Sequence, residues 1–347
     1  MAHRGDRVDP ERVRVILALE TSCDDTCAAV VTDDGEIRAN VISSQGVHDR
    51  YGGVVPEIAS RHHLDLIGDV VDDALARAGT TLDRLDMVAV TRGPGLVGAL
   101  LVGVATAKSL AAAHELPLAP VDHLHGHVAA AFLAAPTPFE PPFLSLVASG
   151  GHTLLARVTD HGPDYEVIGH TLDDAAGEAF DKGARLLGLG YPGGPALEKL
   201  AGDGDSDAFA FPTGQRLGGL DFSFAGLKTA LLYKVRDLGD DAAQQRRADL
   251  AASYQRAIVE SLAIRVERAL LDTGLERLSV GGGVAANGPV RERMATLGVE
   301  LHVPPRELCT DNAAMIASAA RFVGALPYPD YLDIDVYATG ERALIAR

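Results

Sequence analysis

The stretch that decides the fold is Val13-Arg14-Val15-Ile16-Leu17-Ala18-Leu19, then Glu20-Thr21-Ser22-Cys23-Asp24-Asp25-Thr26, then Cys27-Ala28-Ala29-Val30-Val31-Thr32. Two apolar runs of strand length flank a short polar turn, which predicts a hairpin with strands over 13–19 and 27–32. Asp33-Asp34-Gly35 is a further turn signal, and 37–43 reads as a third strand. The chain therefore opens as a β-meander. A doubly wound Rossmann sheet is the competing α/β reading, but it alternates strand and helix from the outset, and a meander start disfavours it.

Working outward, 56–78 reads as a helix that opens at Pro56 and closes at Gly79. A strand over 87–91, the turn Arg92-Gly93-Pro94-Gly95, a helix over 96–114 and a strand over 118–121 follow. Then the pattern restarts, with a strand over 143–148, a polar turn from Ser149 to Thr153, and strands over 154–158 and 165–169. Strand, polar turn, strand, strand thus occurs twice, each time followed by helices, an internal duplication of architecture rather than of letters. The second half continues with helices over 175–187, 227–236, about 241–272 and 311–322, the last N-capped near Thr310, and with strands over 278–281 and 299–303. Residues 328–347 show little periodicity. Two meander-plus-helix lobes predict an α/β protein of the actin-like ATPase (sugar kinase, heat-shock, actin) type with a central ligand cleft. The expected division is a disordered tail over 1–13, an N-terminal lobe over 14–140, and a C-terminal lobe with a helical insertion over 141–347.

A hydrophobic content of 47% in 347 residues supplies a sizeable core. No apolar window is long and uncharged enough for a membrane span, and the charged N-terminus has no apolar segment of a secretory signal. Three cysteines (Cys23, Cys27, Cys309) fit small buried thiols in a reducing cytoplasm better than a disulfide framework or a metal site. The net charge of −17 argues against a surface that coats nucleic acid generally, so a polyanionic substrate needs a local basic patch or a basic partner.

The segment His123-Leu124-His125-Gly126-His127 carries the first chemistry. On a helix, His123 and His127 stack on one face about 6 Å apart and can share one transition-metal ion; ordinary helix-start histidines are the plain alternative. Asp311 is at once a helix-start charge and an acceptable third, hard ligand that leaves positions open for substrate. Gly150-Gly151, Tyr191-Pro192-Gly193-Gly194-Pro195 and Gly281-Gly282-Gly283 stand at strand or turn ends. Each is a turn when read singly; together they describe a nucleotide cleft, because bare backbone can aim N–H groups at a phosphate. Asp24 and Asp25 lie in the first turn as an Asx-turn or as groups that orient a nucleophile. Asp181, on a carboxylate stripe with Asp174 and Glu178, is either solvated or an acceptor for a ligand hydroxyl.

In order along the chain, Glu20-Thr-Ser-Cys-Asp24-Asp25, His123-x-x-x-His127, Val147-Ala-Ser-Gly-Gly-His152-Thr, Asp174-Ala-Ala-Gly-Glu-Ala-Phe-Asp181-Lys, Tyr191-Pro-Gly-Gly-Pro, Asp221-Phe-Ser-Phe-Ala-Gly-Leu-Lys228-Thr, Gly282-Gly283-Val-Ala-Ala-Asn287 and Thr310-Asp311-Asn312-Ala-Ala-Met together resemble the tRNA N(6)-adenosine threonylcarbamoyltransferase family (TsaD type), formerly called glycoprotease or O-sialoglycoprotein endopeptidase. The resemblance runs from about residue 15 to about 334. It implies the actin-like two-lobed fold and transfer of threonylcarbamoyl from threonylcarbamoyl-AMP to the exocyclic amine of the adenosine 3′ of the anticodon, in tRNAs reading codons that begin with A, with release of AMP. It implies one divalent metal, iron(II) first and zinc as the alternative, on His123, His127 and Asp311. It implies adenylate contacts from Val147, Ala148, Ser149, Gly150, Gly151, Asp181, Gly194, Glu198 and Asn287. The implied partners are tRNA, a small inactive paralogue (TsaB type) and a P-loop ATPase (TsaE type), in the cytoplasm and with no membrane. Asp24 is the candidate for positioning the incoming amine or taking its proton. The chain departs from the family pattern in having His125 where many members have Glu, and Asp25 where many have Glu.

Three other readings compete. A metallopeptidase needs a general base beside its metal-binding histidines, and Leu124 fills that place. A sugar or acyl-phosphate kinase shares the fold class but has no need of the two histidines. A non-catalytic scaffold predicts degenerate metal and glycine positions, and all are intact here.

Overall fold

The opening hairpin forms. β1 (Val15–Glu20) pairs antiparallel with β2 (Asp25–Thr32), Val15 opposite Thr32 and Glu20 opposite Cys27. In this computed structural model, residues 13–51, 53–133, 139–215 and 217–338 are described; the rest of the expected tail 1–13 and the end of the second lobe at 339–347 lie outside them. Every residue of β1 is buried, and its period of two explains how. Val15, Leu17 and Leu19 enter one apolar cluster; Ile16 and Ala18 enter another on the opposite face.

β3 (Ile37–Ser44) extends the meander, and β4 (Met87–Gly93) and β5 (Leu118–Asp122) add to β1 in parallel, giving the order β3-β2-β1-β4-β5. The second sheet repeats it. β6 (Phe143–Ala148), β7 (Thr153–Val158) and β8 (Glu166–His170) form the meander, and β9 (Arg277–Gly281) and β10 (Glu300–His302) add in parallel, giving β8-β7-β6-β9-β10. The duplication anticipated from sequence is thus one topology built twice.

In the first lobe α1 (Pro56–Ala78) and α2 (Val97–Ala113) cover one face of the sheet. Pro56 opens α1 and left-handed Gly79 closes it, at the positions read from sequence. The histidine segment is α3 (His123–Ala129), and it tightens into a 3₁₀ turn at Ala130–Phe132. The second lobe adds α4 (Ala176–Leu186), α5 (Gly193–Ala201), α6 (Ala225–Leu238), α7 (Asp240–Gln245) and α8 (Arg247–Thr273). The single helix expected over 241–272 is broken at Arg246 (φ −104°, ψ 19°). The Arg246 guanidinium caps the Phe209 ring at 4.4 Å and pairs with Asp249 at 3.0 Å, which fixes the corner. α9 (Gly288–Ala295) and the short α10 (Arg306–Cys309) follow.

α11 (Ala313–Ala320) begins two residues later than the 311–322 expectation, and its N-cap is Asn312, not Thr310: the Asn312 side chain accepts from Met315 N. Asp311 is therefore left outside the helix. α11 is apolar and buried all round, and it packs not on the second sheet but on the underside of the first, with Ile16, Ala18, Ala29 and Val121. Beyond it, Leu326 pairs with Leu118 at the free edge of β5, and Tyr331 enters the α1/α2 core. The stretch assigned to the second lobe over 141–347 thus returns to the first sheet near Leu308, because its apolar small-residue helix has its complementary surface there.

Candidate metal centre and adjoining turns

α3 sits between the two lobes. Leu124 and Val128 pack with Val147 and Leu154 of the second sheet, while the opposite side lies on α11. Gly126 permits the latter approach: a Cβ there would stand 2.7 Å from Ile316 Cδ1 and 3.2 Å from Met315 Cγ. At the N-terminus of α3, Asp122 Oδ1 accepts from Leu124 N (2.8 Å) and His125 N (3.1 Å). These contacts hold His123 and His127 over the loop that precedes α11.

Asp311, from that loop, meets both histidines. Its Oδ1 is 3.5 Å from His123 Nε2 and 3.2 Å from His127 Nε2, and the three donors lie within 4.8 Å of one another. His127 is buried; its Nε2 lacks hydrogen-bond alignment to Asp311, and its Nδ1 has no hydrogen-bond partner among the described residues. Two donors each about 2.1 Å from one ion, at tetrahedral or octahedral angles, sit roughly 3.0–3.4 Å apart. The two carboxylate–imidazole spacings, 3.2 and 3.5 Å, lie at or close to this range, and two imidazoles with one carboxylate suit iron or zinc. Asp311 keeps 23% of its side chain accessible, so the group opens on one side. No cysteine joins a group of this kind among the described residues; Cys23, Cys27 and Cys309 are free thiols.

Glu20 is a residue of the site that the sequence reading quoted but gave no task. Fully buried at the end of β1, it accepts from Thr91 Oγ1 at 2.6 Å and from Ser22 N, and it faces His123 Nδ1 at 2.9 Å. That contact turns Nε2 of His123 towards Asp311 and fixes the tautomer of a ligating imidazole. A carboxylate closing a strand before a polar turn was the available signal. In the protein without metal, burial pushes the His123 imidazole down, but the Asp311 and Glu20 charges prevail and raise its pKa to about 9. Burial likewise pushes Asp311 up, but His123 and His127 hold it well below the usual carboxylate range. Burial, with the charges of His123 and His127, presses His152 down to about 4.

The expected ligand-binding residues surround this group. His152 stands 6.4 Å from His123, ring centre to ring centre, and closes the Val147, Ala148, Ser149, Gly150, Gly151 turn, whose Ser149 N donates to His152 O at 2.7 Å. Gly150 and Gly151 are exposed, and a Cβ on either would meet nothing within 4 Å. Packing does not require a glycine at either position, and the bare backbone stands open there. Gly282, by contrast, is required by its own surroundings: φ is +83°, and a Cβ would lie 2.3 Å from the Ala148 carbonyl. A Cβ on Gly281 would stand 3.0 Å from the His127 carbonyl oxygen, so β9, the glycine turn after β6 and α3 converge.

Asp181 is half-buried and accepts from Gly193 N at 2.8 Å, setting a carboxylate at the start of α5 beside Gly194. Burial, opposed by these N–H groups, raises its pKa. Glu198 Oε1 accepts from Gly288 N at 2.9 Å, and Asn287 caps α9 through Val290 N at 3.2 Å while donating to Gln255. Both side chains thus hold the start of α9 against α5 and α8. Across the cleft, Tyr191 lies in the field of Asp24 and Asp181 together; burial and then these two charges raise its hydroxyl. Burial also lifts Asp25 to about 7, against a hydrogen bond with Ser44 and with help from the Asp311, Asp24 and Glu20 charges. His125 is buried beside Tyr165, ring centres 6.1 Å apart, and is not one of the three donors. Leu124 is in the core, so the position of a peptidase's general base is apolar.

The described residues contain no helix long and apolar enough to cross a membrane. A family model, TsaD: tRNA N6-adenosine threonylcarbamoyltransferase, matches residues 36–318. Proteins named tRNA N6-adenosine threonylcarbamoyltransferase are similar over most of their length. That of Symbiobacterium thermophilum is 52% identical over 314 residues (89% of this chain, 91% of its own). That of Anaeromyxobacter sp. is 55% identical over 311 residues (88% and 92%), and that of Trichlorobacter lovleyi 50% over 339 (96% and 98%). Among solved structures, Thermococcus kodakarensis HypF superposes with a TM-score of 0.60 at 15% identity, covering 89% of this chain and 47% of that one. Component A of the Acidaminococcus fermentans (R)-2-hydroxyglutaryl-CoA dehydratase does so with a TM-score of 0.55 at 15% identity, covering 92% and 100%. At such identities the likeness concerns the fold, which is the actin-like ATPase fold.

Proposed function

From the premise that the chain belongs to the tRNA N6-adenosine threonylcarbamoyltransferase family, and is a transferase, we propose that it moves threonylcarbamoyl from threonylcarbamoyl-AMP to the exocyclic amine of the adenosine 3′ of the anticodon, in tRNAs reading codons that begin with A, and releases AMP. The observation that supports this reading is the convergence of His123, His127 and Asp311 beside the open turn at Gly150 and Gly151.

His123, His127 and Asp311 hold a divalent cation, iron(II) or zinc, which when bound supplies Lewis-acid polarisation of the transferred carbonyl. The chain's own groups do the rest. Glu20 fixes the His123 ring. The backbone N–H groups of Ser149, Gly150 and Gly151, after the Val147–Ala148 strand end, receive the phosphate and steady the charge on departing AMP. Asp181, beside Gly194, receives ribose hydroxyls, and Asn287 with Glu198 sets the wall on which the base rests. Asp24 meets the incoming amine from the opposite lobe and positions it or takes its proton.

The reaction runs in the cytoplasm with a TsaB-type paralogue and a TsaE-type ATPase. Leu64 on α1 and Val97 and Leu101 on α2 are exposed and offer apolar contacts to such a partner on these helices. The test is transfer of labelled threonine to tRNA by the purified protein with its partners. The double variant His123→Ala/His127→Ala is expected to lose turnover by at least about a hundredfold. Wild-type turnover in that variant removes the metal from the reading, and failure of the wild type to label tRNA removes the reading itself.

A further inference from the structure

The segment from Leu326 to Tyr337, most of it in the stretch of little periodicity from 328 onward, is nevertheless pinned along its length to the first lobe. Leu326 pairs with Leu118 on both backbone groups (3.0 and 2.9 Å). Lys108 Nζ, at the far end of α2, donates to the Leu332 carbonyl at 2.8 Å and the Ile334 carbonyl at 2.6 Å. Tyr337 N donates to the Arg92 carbonyl at 3.1 Å, and the Arg92 guanidinium lies 5.3 Å from the centre of the Tyr337 ring. Gly93 leaves the room this needs: a Cβ there would be 2.5 Å from the Tyr337 carbonyl oxygen and 2.9 Å from the ring. So seated, the buried Tyr337 donates its hydroxyl to Asp122 Oδ2 at 2.5 Å.

Asp122 is the N-cap of α3. Its Oδ1 already receives two backbone N–H groups of the helix that carries His123 and His127. Tyr337 occupies the other oxygen and so fixes the rotamer in which Oδ1 faces the helix. We propose that Tyr337 is a positioning residue of the metal centre: through Asp122 it holds the first turn of α3 so that His123 and His127 present their nitrogens to Asp311. This rests on the metal reading above and extends it to a residue more than two hundred positions away in sequence. His123 is then set from two directions, by Glu20 at its ring and by Tyr337 at the cap of its helix.

The same segment provides a matched control. Tyr331 is fully buried, and its hydroxyl has no hydrogen-bond partner among the described residues. Tyr337→Phe and Tyr331→Phe each remove one hydroxyl from this segment, but only the first touches Asp122. Zinc affinity of the full-length metal-free protein is measured by competition with a chelating dye, and backbone amide exchange over residues 123–129 is measured on the same samples. Tyr337→Phe is expected to weaken zinc binding about tenfold, the lower end for loss of a residue that orients a ligand, and to speed exchange at Leu124 and His125. Tyr331→Phe is expected to change neither. Wild-type zinc affinity or wild-type exchange in Tyr337→Phe overturns the proposal, as does equal weakening in Tyr331→Phe. Wild-type zinc affinity in His123→Ala/His127→Ala overturns the metal reading instead, so the two failures are told apart.

Discussion

Metal binding to the metal-free protein should expel a proton from His123, and the number expelled reports the electrostatics of the Glu20–His123–Asp311 group. The ring carries a proton that both neighbouring carboxylates favour, and its pKa is raised to about 9. A ligating Nε2 must be bare, so the proton leaves when the ion enters. At pH 7 a group of pKa about 9 is ~99% protonated, whereas an imidazole at its ordinary 6.5 is only ~24% protonated. Zinc binding followed by calorimetry in buffers of different ionisation enthalpy should therefore show about one proton released by His123 at pH 7, about four times the release of an unperturbed ring. Apparent affinity should rise roughly tenfold for each pH unit from 7 towards 9 and level off above it. Glu20→Gln keeps an acceptor for Ser22 N but removes the charge, leaving burial freer to push the ring down, so the release should fall. A total release below about half a proton in the wild type refutes the reasoning.

Other outcomes follow from the same geometry. Because the folded His123 pKa is raised, the stability this group gives the metal-free protein is full below about pH 6.5 and lost as pH rises through 9; thermal unfolding against pH checks it, and the zinc-loaded protein should not show the loss. Above about pH 9, where a proton on His123 no longer competes, Glu20→Gln should weaken zinc about ten- to a hundredfold by freeing the ring it orients, measured by chelator competition. Gly151→Val should unfold within about 0.5 kcal/mol of wild type in urea, because its Cβ meets only open space, while raising KM for the adenylate severalfold. Gly282→Ala should cost more than about 2 kcal/mol in the same titration, since it combines a left-handed φ with a carbonyl in the way.

Much of this was legible in the chain because it is local. The Val15–Thr32 hairpin follows from apolar runs and a turn, and α1 from a proline and a glycine. The repeat of order between the two sheets follows from reading the same run of elements twice. What was not legible depends on long-range packing. The break at Arg246 needs Phe209 as a platform, some forty residues earlier. The late start of α11 depends on Asn312 rather than Thr310 taking the cap, a contest between adjacent capping residues that a sequence pattern does not settle. Even the resemblance that named the three donors left Glu20 without a task, because its role exists only once β1 ends beneath α3.

The return of the chain to the first sheet has a mechanical consequence. Asp311 leads directly into α11, and α11 is packed on the first sheet and on α3, so the donor set is anchored to the first lobe through α11. The glycine turn after β6 belongs to the second sheet. A rotation between the lobes therefore changes the distance from metal to phosphate site without disturbing the donor set. Leu124 and Val128, wedged against Val147 and Leu154, are where such a rotation is resisted. Val128→Ala removes two methyl groups from that wedge and should cost about 1–2 kcal/mol in stability. If the lobes carry their sites independently, zinc affinity stays within about twofold while KM for the adenylate rises. Equal loss of both would mean that α3 answers to the second lobe as well, and the division of the site argued here would fall.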